Sequence, residues 1–477
     1  MPANSWPEEN NKSLNSLLSD LSVEENCCEE TLSSMSLSTR LRNPTRFKNR
    51  RRKAAIVLSA VWSSTVVLHL VSWGYLFVLC VTTILGLHAL VVVFAKPRNH
   101  DEVSDENLPY ISILVAAKNE EAVISRLVKN LCNLKYPKDQ YEIWIIDDNS
   151  SDKTPEILGE LSLKYEQLKV FQRSSDARGG KSGALNQVLP LTTGEILAVF
   201  DADAHVSEDI LPQTVPLFRR QKVGAVQLRK AIANAGENFW TQGQMAEMCL
   251  DAMIQQQRNA VGGIGELRGN GQFVRRTALI SCGGWNEETI TDDLDLTLCL
   301  HLDNWDIDCV FEPVVGEEGV NKAISLWHQR SRWAEGGYQR YLDYWDLIFR
   351  NRMGSWKTWD LLSFMFVQYI VPNAVIPDFL MAIARHRLPI YTPFTSLSLT
   401  MSVAGMFAGL VRIRRDKQFR LSTYPTIFLQ SLRGTLYMLH WFLVISITTA
   451  RMSVLPKRLK WVKTVHQGAT EAENADS

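Results

Sequence analysis

The chain has 477 residues, and its 51 Lys+Arg are balanced by 51 Asp+Glu, so no formal net charge remains at pH 7. A nucleic-acid-binding protein carries a basic excess as a rule, so nucleic acid is not an expected partner. The mean hydropathy of -0.09 is too low for a transporter made only of membrane spans, and eight cysteines without a paired framework exclude a disulfide scaffold and suit a reducing compartment.

Along the chain, apolar and polar residues are strongly segregated. Residues 1–39 are rich in Ser, Asn and Glu with no sustained period and read as a disordered tail. Basic residues then crowd together from Arg40 to Lys53, directly before an apolar run, 54–96, whose residues Ala54 to Ala95 include no Asp, Glu, Lys or Arg. One spanning helix needs roughly 20 residues, so the run reads as a two-span hairpin turning near Ser72–Tyr75. The basic cluster sets its entry on the cytoplasmic side, and the chain returns there at Lys96.

Residues 97–340 are soluble in character. Strand-like runs at Tyr110–Ala117, Tyr141–Ile146, Leu168–Gln172 and Gly194–Phe200 alternate with helix-like runs at Glu121–Leu134 and Pro155–Tyr165. That alternation predicts an α/β domain with a mostly parallel sheet and helices on both faces. In such sheets the ligand lies beyond the carboxyl ends of the strands. After an interfacial segment, 341–360, three apolar stretches follow within 361–450: Leu361–Ala384, Leu388–Val411 and Tyr424–Ala450, the last interrupted by Arg433 and Gly434. Residues 451–477 form a basic, then polar, tail. Its Lys457, Arg458, Lys460 and Lys463 also ask for the cytoplasm, which three full spans would not give, so 361–450 holds two or three membrane segments, with re-entrant or interfacial placement of one stretch as the alternative to a third span.

Four short patterns carry chemistry. Asp147 and Asp148 end the second strand, and Asn119 and Glu120 follow the first on the same edge. Carboxylates there accept hydrogen bonds from a base or ribose, although an Asx turn uses the same residues. Asp201 and Asp203 flank Ala202 past the fourth strand, as ligands of Mg²⁺ or Mn²⁺ on a diphosphate do. Between these clusters, Arg178-Gly179-Gly180-Lys181 brings glycine and charge, with spacing unlike a P-loop. Asp292 and Asp293 precede an amphipathic helix, Leu294–Leu302; they complement its dipole or supply a general base. Gln329, Arg332 and Trp333 share a helical stretch, where Arg332 can neutralise a diphosphate and Trp333 can face a sugar.

In this order on this fold, the four patterns resemble the family 2 glycosyltransferases, in the membrane branch that holds cellulose, chitin and hyaluronan synthases. The overall layout is similar to that of the cyanobacterial diacylglycerol glucosyltransferases within the family. The resemblance implies a Rossmann-like nucleotide-sugar domain of the GT-A type inserted between transmembrane helices. It implies UDP-glucose as donor, 1,2-diacylglycerol as acceptor and inversion of the sugar. It implies Mg²⁺ or Mn²⁺ on Asp201 and Asp203. Asp293 is then the catalytic base, and Glu120, Asp147, Asp148, Lys181, Asp201, Gln329, Arg332 and Trp333 hold the nucleotide sugar. The expected product is β-monoglucosyldiacylglycerol, made at the cytosolic face of a multi-pass protein, in a cyanobacterium that of the plasma or thylakoid membrane. A processive β-glycan synthase and a non-catalytic membrane scaffold or sensor are the alternatives. Two positions depart from the family pattern: the base motif reads Asp292-Asp293 instead of Glu-Asp, and Arg268-Gly269-Asn270-Gly271-Gln272-Phe273 stands where polymer synthases carry Cys-Gly.

Overall fold

The first helix begins inside the basic cluster. In the computed structural model, which describes residue 41 and residues 44–97, 108–414 and 423–455, α1 is Arg50–Leu70 and α2 is Gly74–Val93. The turn between them needs Gly74, because a Cβ there would lie 1.8 Å from the Leu68 carbonyl oxygen. The expected polar tail 1–39, Arg40, Arg42 and the basic residues Lys457, Arg458, Lys460 and Lys463 lie outside the described residues.

The soluble part is one mixed sheet with helices on both faces. In chain order it contains β1 (Ile111–Ala117), α3 (Ile124–Cys132), β2 (Tyr141–Asp147), α4 (Thr154–Lys164), β3 (Leu168–Gln172), α5 (Gly180–Val188) and β4 (Ile196–Asp201). There follow β5 (His205–Val206), α6 (Ile210–Thr214), β6 (Val223–Ile232), α7 (Phe239–Ala260), β7 (Gln272–Arg275), α8 (Arg276–Ser281), α9 (Asp292–Leu302), β8 (Asp306–Glu317) and α10 (Ala323–Phe349). The strand order is β3-β2-β1-β4-β7-β6-β8-β5. Strands β3, β2, β1 and β4 are parallel, as the alternation predicts. The sheet departs from that expectation in its second half. There β7 runs antiparallel to both β4 and β6, and β5 antiparallel to β8.

Strands β1, β2 and β4 are apolar and buried on both faces, the pattern of central parallel strands. Register sets the site: Ala117 pairs with Asp147 and Ala116 with Asp201. Both acids therefore stand level at the carboxyl edge.

Helix α7 joins this domain to the apolar helices that flank it. It starts at a capping box, in which the Asn238 side chain accepts from the Trp240 and Thr241 amides and satisfies donors that a helix start leaves open. Its buried side includes Met248, Cys249 and Leu250. Beyond α10 come α11 (Ser355–Met365), α12 (Val371–Ala384), α13 (Thr392–Arg414), α14 (Tyr424–Met438) and α15 (His440–Val454). Helices α11 and α12 are continuous through a wider π turn, Phe366–Ile370, next to Pro372, which has no N–H for the regular ladder. Asp360, near the start of α11, takes Arg258 of α7 at 2.8 Å and His88 of α2 at 3.1 Å. Arg50 of α1 pairs with Asp343 of α10 at 2.6 Å, so part of the basic cluster is bound inside the protein.

Among the described residues, four helices are long and apolar enough to cross a membrane: α1, α2, the continuous Ser355–Ala384 and α13. The third C-terminal stretch divides into α14 and α15, of 15 residues each. Each falls short of the roughly 20 residues a span takes. The break falls at Leu439, where the His440 ring binds the Tyr437 carbonyl at 2.5 Å, and not at Arg433-Gly434. The helix runs through Gly434, whose missing Cβ would otherwise lie 2.6 Å from the Met406 sulfur.

Candidate active site

The ends of β1 and β2 form one wall. Asp147 is buried; its Oδ1 accepts the Ser150 amide at 3.1 Å, whereas its Oδ2 has no protein partner. A buried carboxylate oxygen without a donor is costly, and it suits a ligand N–H. Asp148 is engaged differently. It pairs with Arg173 and stands 3.7 Å from Lys118, and Arg173 continues to the carbonyls of Arg178 at 2.5 Å and Gly180 at 3.2 Å. Asp148 thus holds the glycine loop in place through Arg173. Glu120 is buried on the same edge, with its backbone amide on Thr154 Oγ1 at 2.8 Å.

That loop delivers Lys181 to the centre. Gly179, at φ +86°, turns the chain into α5, and Lys181 Nζ lies 2.5 Å from Asp201 Oδ1. Enclosure by protein works against the ammonium charge, but Asp201, with Asp292 and Asp293 behind it, outweighs this and raises the pKa above its ordinary value. Asp203 sits two residues on, buried, with Oδ2 accepting the Glu318 amide at 3.2 Å. Two carboxylates on one turn suit a hard cation that takes its remaining oxygens from a diphosphate.

Asp292 and Asp293 lie within the first turn of α9, not ahead of it. Burial, and then the neighbouring Asp292, push the Asp293 carboxyl up to about 6; the Leu294 amide on its Oδ1, Lys181 and Lys230 pull the other way. A carboxylate with such a pKa is poised for proton transfer near neutral pH. The Arg268–Phe273 loop, which departs from the family pattern, packs against this acid. A Cβ on Gly269 would stand 3.4 Å from Asp293 Oδ2, and the buried Asn270 accepts the Asp201 amide through Oδ1 at 3.2 Å.

The opposite wall is α10. Arg332 faces Asp201, Asp293 and Asp292; burial nevertheless lowers its pKa. Trp333 is half-buried, with Arg330 4.1 Å and Lys230 4.9 Å from its ring centre. Gln329 Oε1 is buried without a protein partner. The structure therefore gathers Lys181, Asp201, Asp292, Asp293 and Arg332 at one centre, with Asp147, Asp148 and Glu120 along the β1–β2 edge and Trp333 on α10. Sequence reasoning assigned no role to Lys230, Arg330, Asn270 or Glu247. Arg330 lies between Gln329 and Arg332, and Asn270 within Arg268–Phe273, so both were within reach of those signals. Lys230 and Glu247 carry no local pattern.

This sheet, with acids at the ends of β2 and β4 and an acid pair at the start of α9, is a GT-A-type fold, and residues 112–283 match the model of glycosyl transferase family 2. The chain belongs to that family and is a glycosyltransferase. It is 67% identical over 475 residues to the β-monoglucosyldiacylglycerol synthase of a Nostoc species, covering 99% of this chain and 100% of that protein. The synthase of the same name from a Synechocystis species is 52% identical, over 89% of this chain and 90% of its own length. Among solved structures, a mannosyltransferase from Pyrobaculum calidifontis in complex with GDP-Man and Mn²⁺ matches 80% of this chain and 99% of its own, at 18% identity and a TM-score of 0.49.

Proposed function

We propose that the protein transfers glucose from UDP-glucose to the 3-hydroxyl of 1,2-diacylglycerol and makes β-monoglucosyldiacylglycerol. The observation that carries the reaction is Asp293: a single carboxylate with a raised pKa, in the first turn of α9, facing Lys181 and near Arg332. Asp293 takes the proton of the acceptor hydroxyl as its oxygen attacks the anomeric carbon. One base and one displacement turn an α-linked donor into a β-glucoside. Asp147, whose Oδ2 lacks a protein partner, and Glu120 accept from the nucleoside, while Asp148 braces the Lys181 loop through Arg173. Lys181 and Arg332 bring positive charge to the diphosphate. Asp201 and Asp203 would hold Mg²⁺ or Mn²⁺, which stabilises the negative charge of a leaving diphosphate.

The acceptor reading is supported by likeness to named glycolipid synthases along almost the whole chain. Entry of a lipid from the side also fits four candidate spans; threading a polysaccharide through the bilayer would ask for a channel. In this reading α1 and α2 cross and return, Ser355–Ala384 and α13 cross and return, and α14–α15 lies along the cytosolic interface. The experiment is direct. Full-length protein in lipid vesicles containing diacylglycerol receives radiolabelled UDP-glucose, and the product is extracted and cleaved with anomer-specific glucosidases. A chloroform-soluble β-glucolipid is expected. An insoluble glucan would turn the reading to a processive synthase, and an α-linked product would remove Asp293 from its role.

A further inference from the structure

Glu247 of α7 is an acid that no part of the transfer chemistry uses, and it is almost wholly buried. Three donors from three different helices meet its carboxylate. Arg330 Nη2, on α10, lies 2.6 Å from Oε2; the Tyr437 hydroxyl, on α14, donates to the same oxygen at 3.0 Å; and Trp441 Nε1, on α15, donates to Oε1 at 2.8 Å. Arg330 has no solvent exposure and also donates to the Tyr437 hydroxyl at 3.2 Å. Its guanidinium carbon stands 4.1 Å from the centre of the Trp333 ring and 5.5 Å from that of Trp441. The arrangement is a chain of contacts from α14–α15, through Glu247 and Arg330, to Trp333.

The far side of α14–α15 is different. Leu432, Leu436, Leu439 and Leu443 are exposed there, at the spacing of one helical face. The same helix pair therefore turns apolar side chains outward and holds the Trp333 support on its inner side. Tyr437 and Trp441 stand four residues apart and so share one side of the helix pair, and both reach one carboxylate. A buried arginine between an acid and an aromatic face has little rotational freedom, since moving it would unpair a desolvated charge.

We propose that Glu247 is a positioning residue for acceptor binding: by clamping Arg330 against Tyr437 and Trp441, it fixes the Trp333 ring at the mouth through which the lipid acceptor reaches Asp293. This rests on the proposed function and takes Trp333, which the resemblance sets beside the nucleotide sugar, as the wall on the acceptor side, where Lys230 lies both over its ring and near Asp293. Glu247 touches no substrate and takes no proton. It acts on the lipid side, because its contacts are to Arg330, Tyr437 and Trp441, whereas Asp147 and Lys181 stand on the β2 edge and the glycine loop.

The test uses full-length protein labelled with 5-fluorotryptophan, in detergent micelles, with the Trp333 fluorine resonance identified by Trp333→Phe. In Glu247→Gln the Trp333 resonance should move while that of Trp144, on β2, stays. In the same variant the KM for diacylglycerol should rise about fivefold or more, with the KM for UDP-glucose within about twofold of wild type. Tyr437→Phe and Trp441→Phe should change both readings in the same direction and by less, and they carry the test if Glu247→Gln does not fold. An unmoved Trp333 resonance in folded variants overturns the proposal, as does an equal rise in both KM values. A moved resonance with neither KM changed would leave Glu247 positioning Trp333 and remove Trp333 from acceptor binding, which is a failure of the underlying reading instead.

Discussion

A Cβ on Gly269 would lie 3.4 Å from the Asp293 carboxylate oxygen Oδ2, in van der Waals contact with it, and Gly269 holds φ at +84°. Alanine at this position strains the backbone and adds an apolar group at the acid. A non-glycine residue in the left-handed region costs about 1–2 kcal/mol, and the new methyl group fills space beside the base. Gly269→Ala should lower turnover at least tenfold, a barrier change of about 1.4 kcal/mol, while melting a few degrees below wild type. A steady-state assay beside a melting curve separates the two effects.

Asp293→Asn keeps the side-chain shape and removes the proton acceptor. General-base catalysis is worth about 10² to 10⁴ in rate, so turnover should fall by that factor with UDP-glucose affinity little changed, measured by calorimetry. Asp292→Asn should be milder, since its effect reaches the base through charge alone. Near-normal turnover in Asp293→Asn would remove it from the reaction.

The pH dependence follows from the same carboxyl, which burial and Asp292 push up to about 6 from an ordinary 3.8. The base works when ionised, so kcat should climb through pH 6 and level above it. Stability runs the other way. Between the two values the folded chain keeps a proton that the unfolded chain has lost, so this site weakens the fold as pH rises through the window. Asp293→Asn should therefore melt higher than wild type at pH 7.5 and equally at pH 4. A variant that melts lower at pH 7.5 would contradict the raised value.

Much of this site was legible in the sequence because apolar strands end abruptly on acids. Ile145-Ile146-Asp147-Asp148 and Val199-Phe200-Asp201 mark strand ends by the change from buried to polar residues alone, and register then sets both at one edge. The stretch from β6 to β7 was not legible. Arg229 and Lys230 interrupt the apolar run of β6, and their partners Glu312 and Glu317 are far along the chain. Charges that are buried and paired at long range look, in sequence, like surface. The same holds for Glu247 and Arg330, 83 residues apart. The helix break at Leu439 has no glycine or proline at its position, so composition pointed to Arg433-Gly434 instead.

Removal of divalent metal tests the Asp201–Asp203 pair. Excess EDTA should abolish transfer, and Mg²⁺ or Mn²⁺ should restore it. Asp203→Ala should be inactive at every metal concentration yet still insert into membranes. Full activity in EDTA would remove the metal role from Asp201 and Asp203.

Glu266 is a buried acid held among three arginines. It has no solvent exposure and lies 2.6 Å from Arg268, 3.2 Å from Arg340 and 3.8 Å from Arg258. Burial alone would raise its carboxyl pKa; Arg340, Arg268 and Arg258 outweigh that and hold it well below the usual range. Its contribution is present above the unfolded carboxylate pKa and is lost as pH falls toward the depressed folded one. Glu266→Gln leaves three arginines short of one counter-charge, and breaking such a buried pair costs about 3–5 kcal/mol. The variant should accumulate poorly and melt far below wild type at pH 7, with the difference shrinking in strong acid.

Arg258, one of those three arginines, also grips Asp360 at the start of a candidate span, where His88 of a second span joins it. The sheet domain and the candidate spans are thus tied through a buried electrostatic contact, as they are at Arg50–Asp343. Chopping the chain near residue 350 would take Asp360 from Arg258, which keeps Glu266 at 3.8 Å, and bare the side of α7 that rests on α13 and α14. The catalytic half is accordingly not a detachable head on a lipid stalk. Heating should melt the nucleotide pocket and the membrane helices in one event, and a change of detergent or lipid should shift the temperature at which UDP-glucose is released.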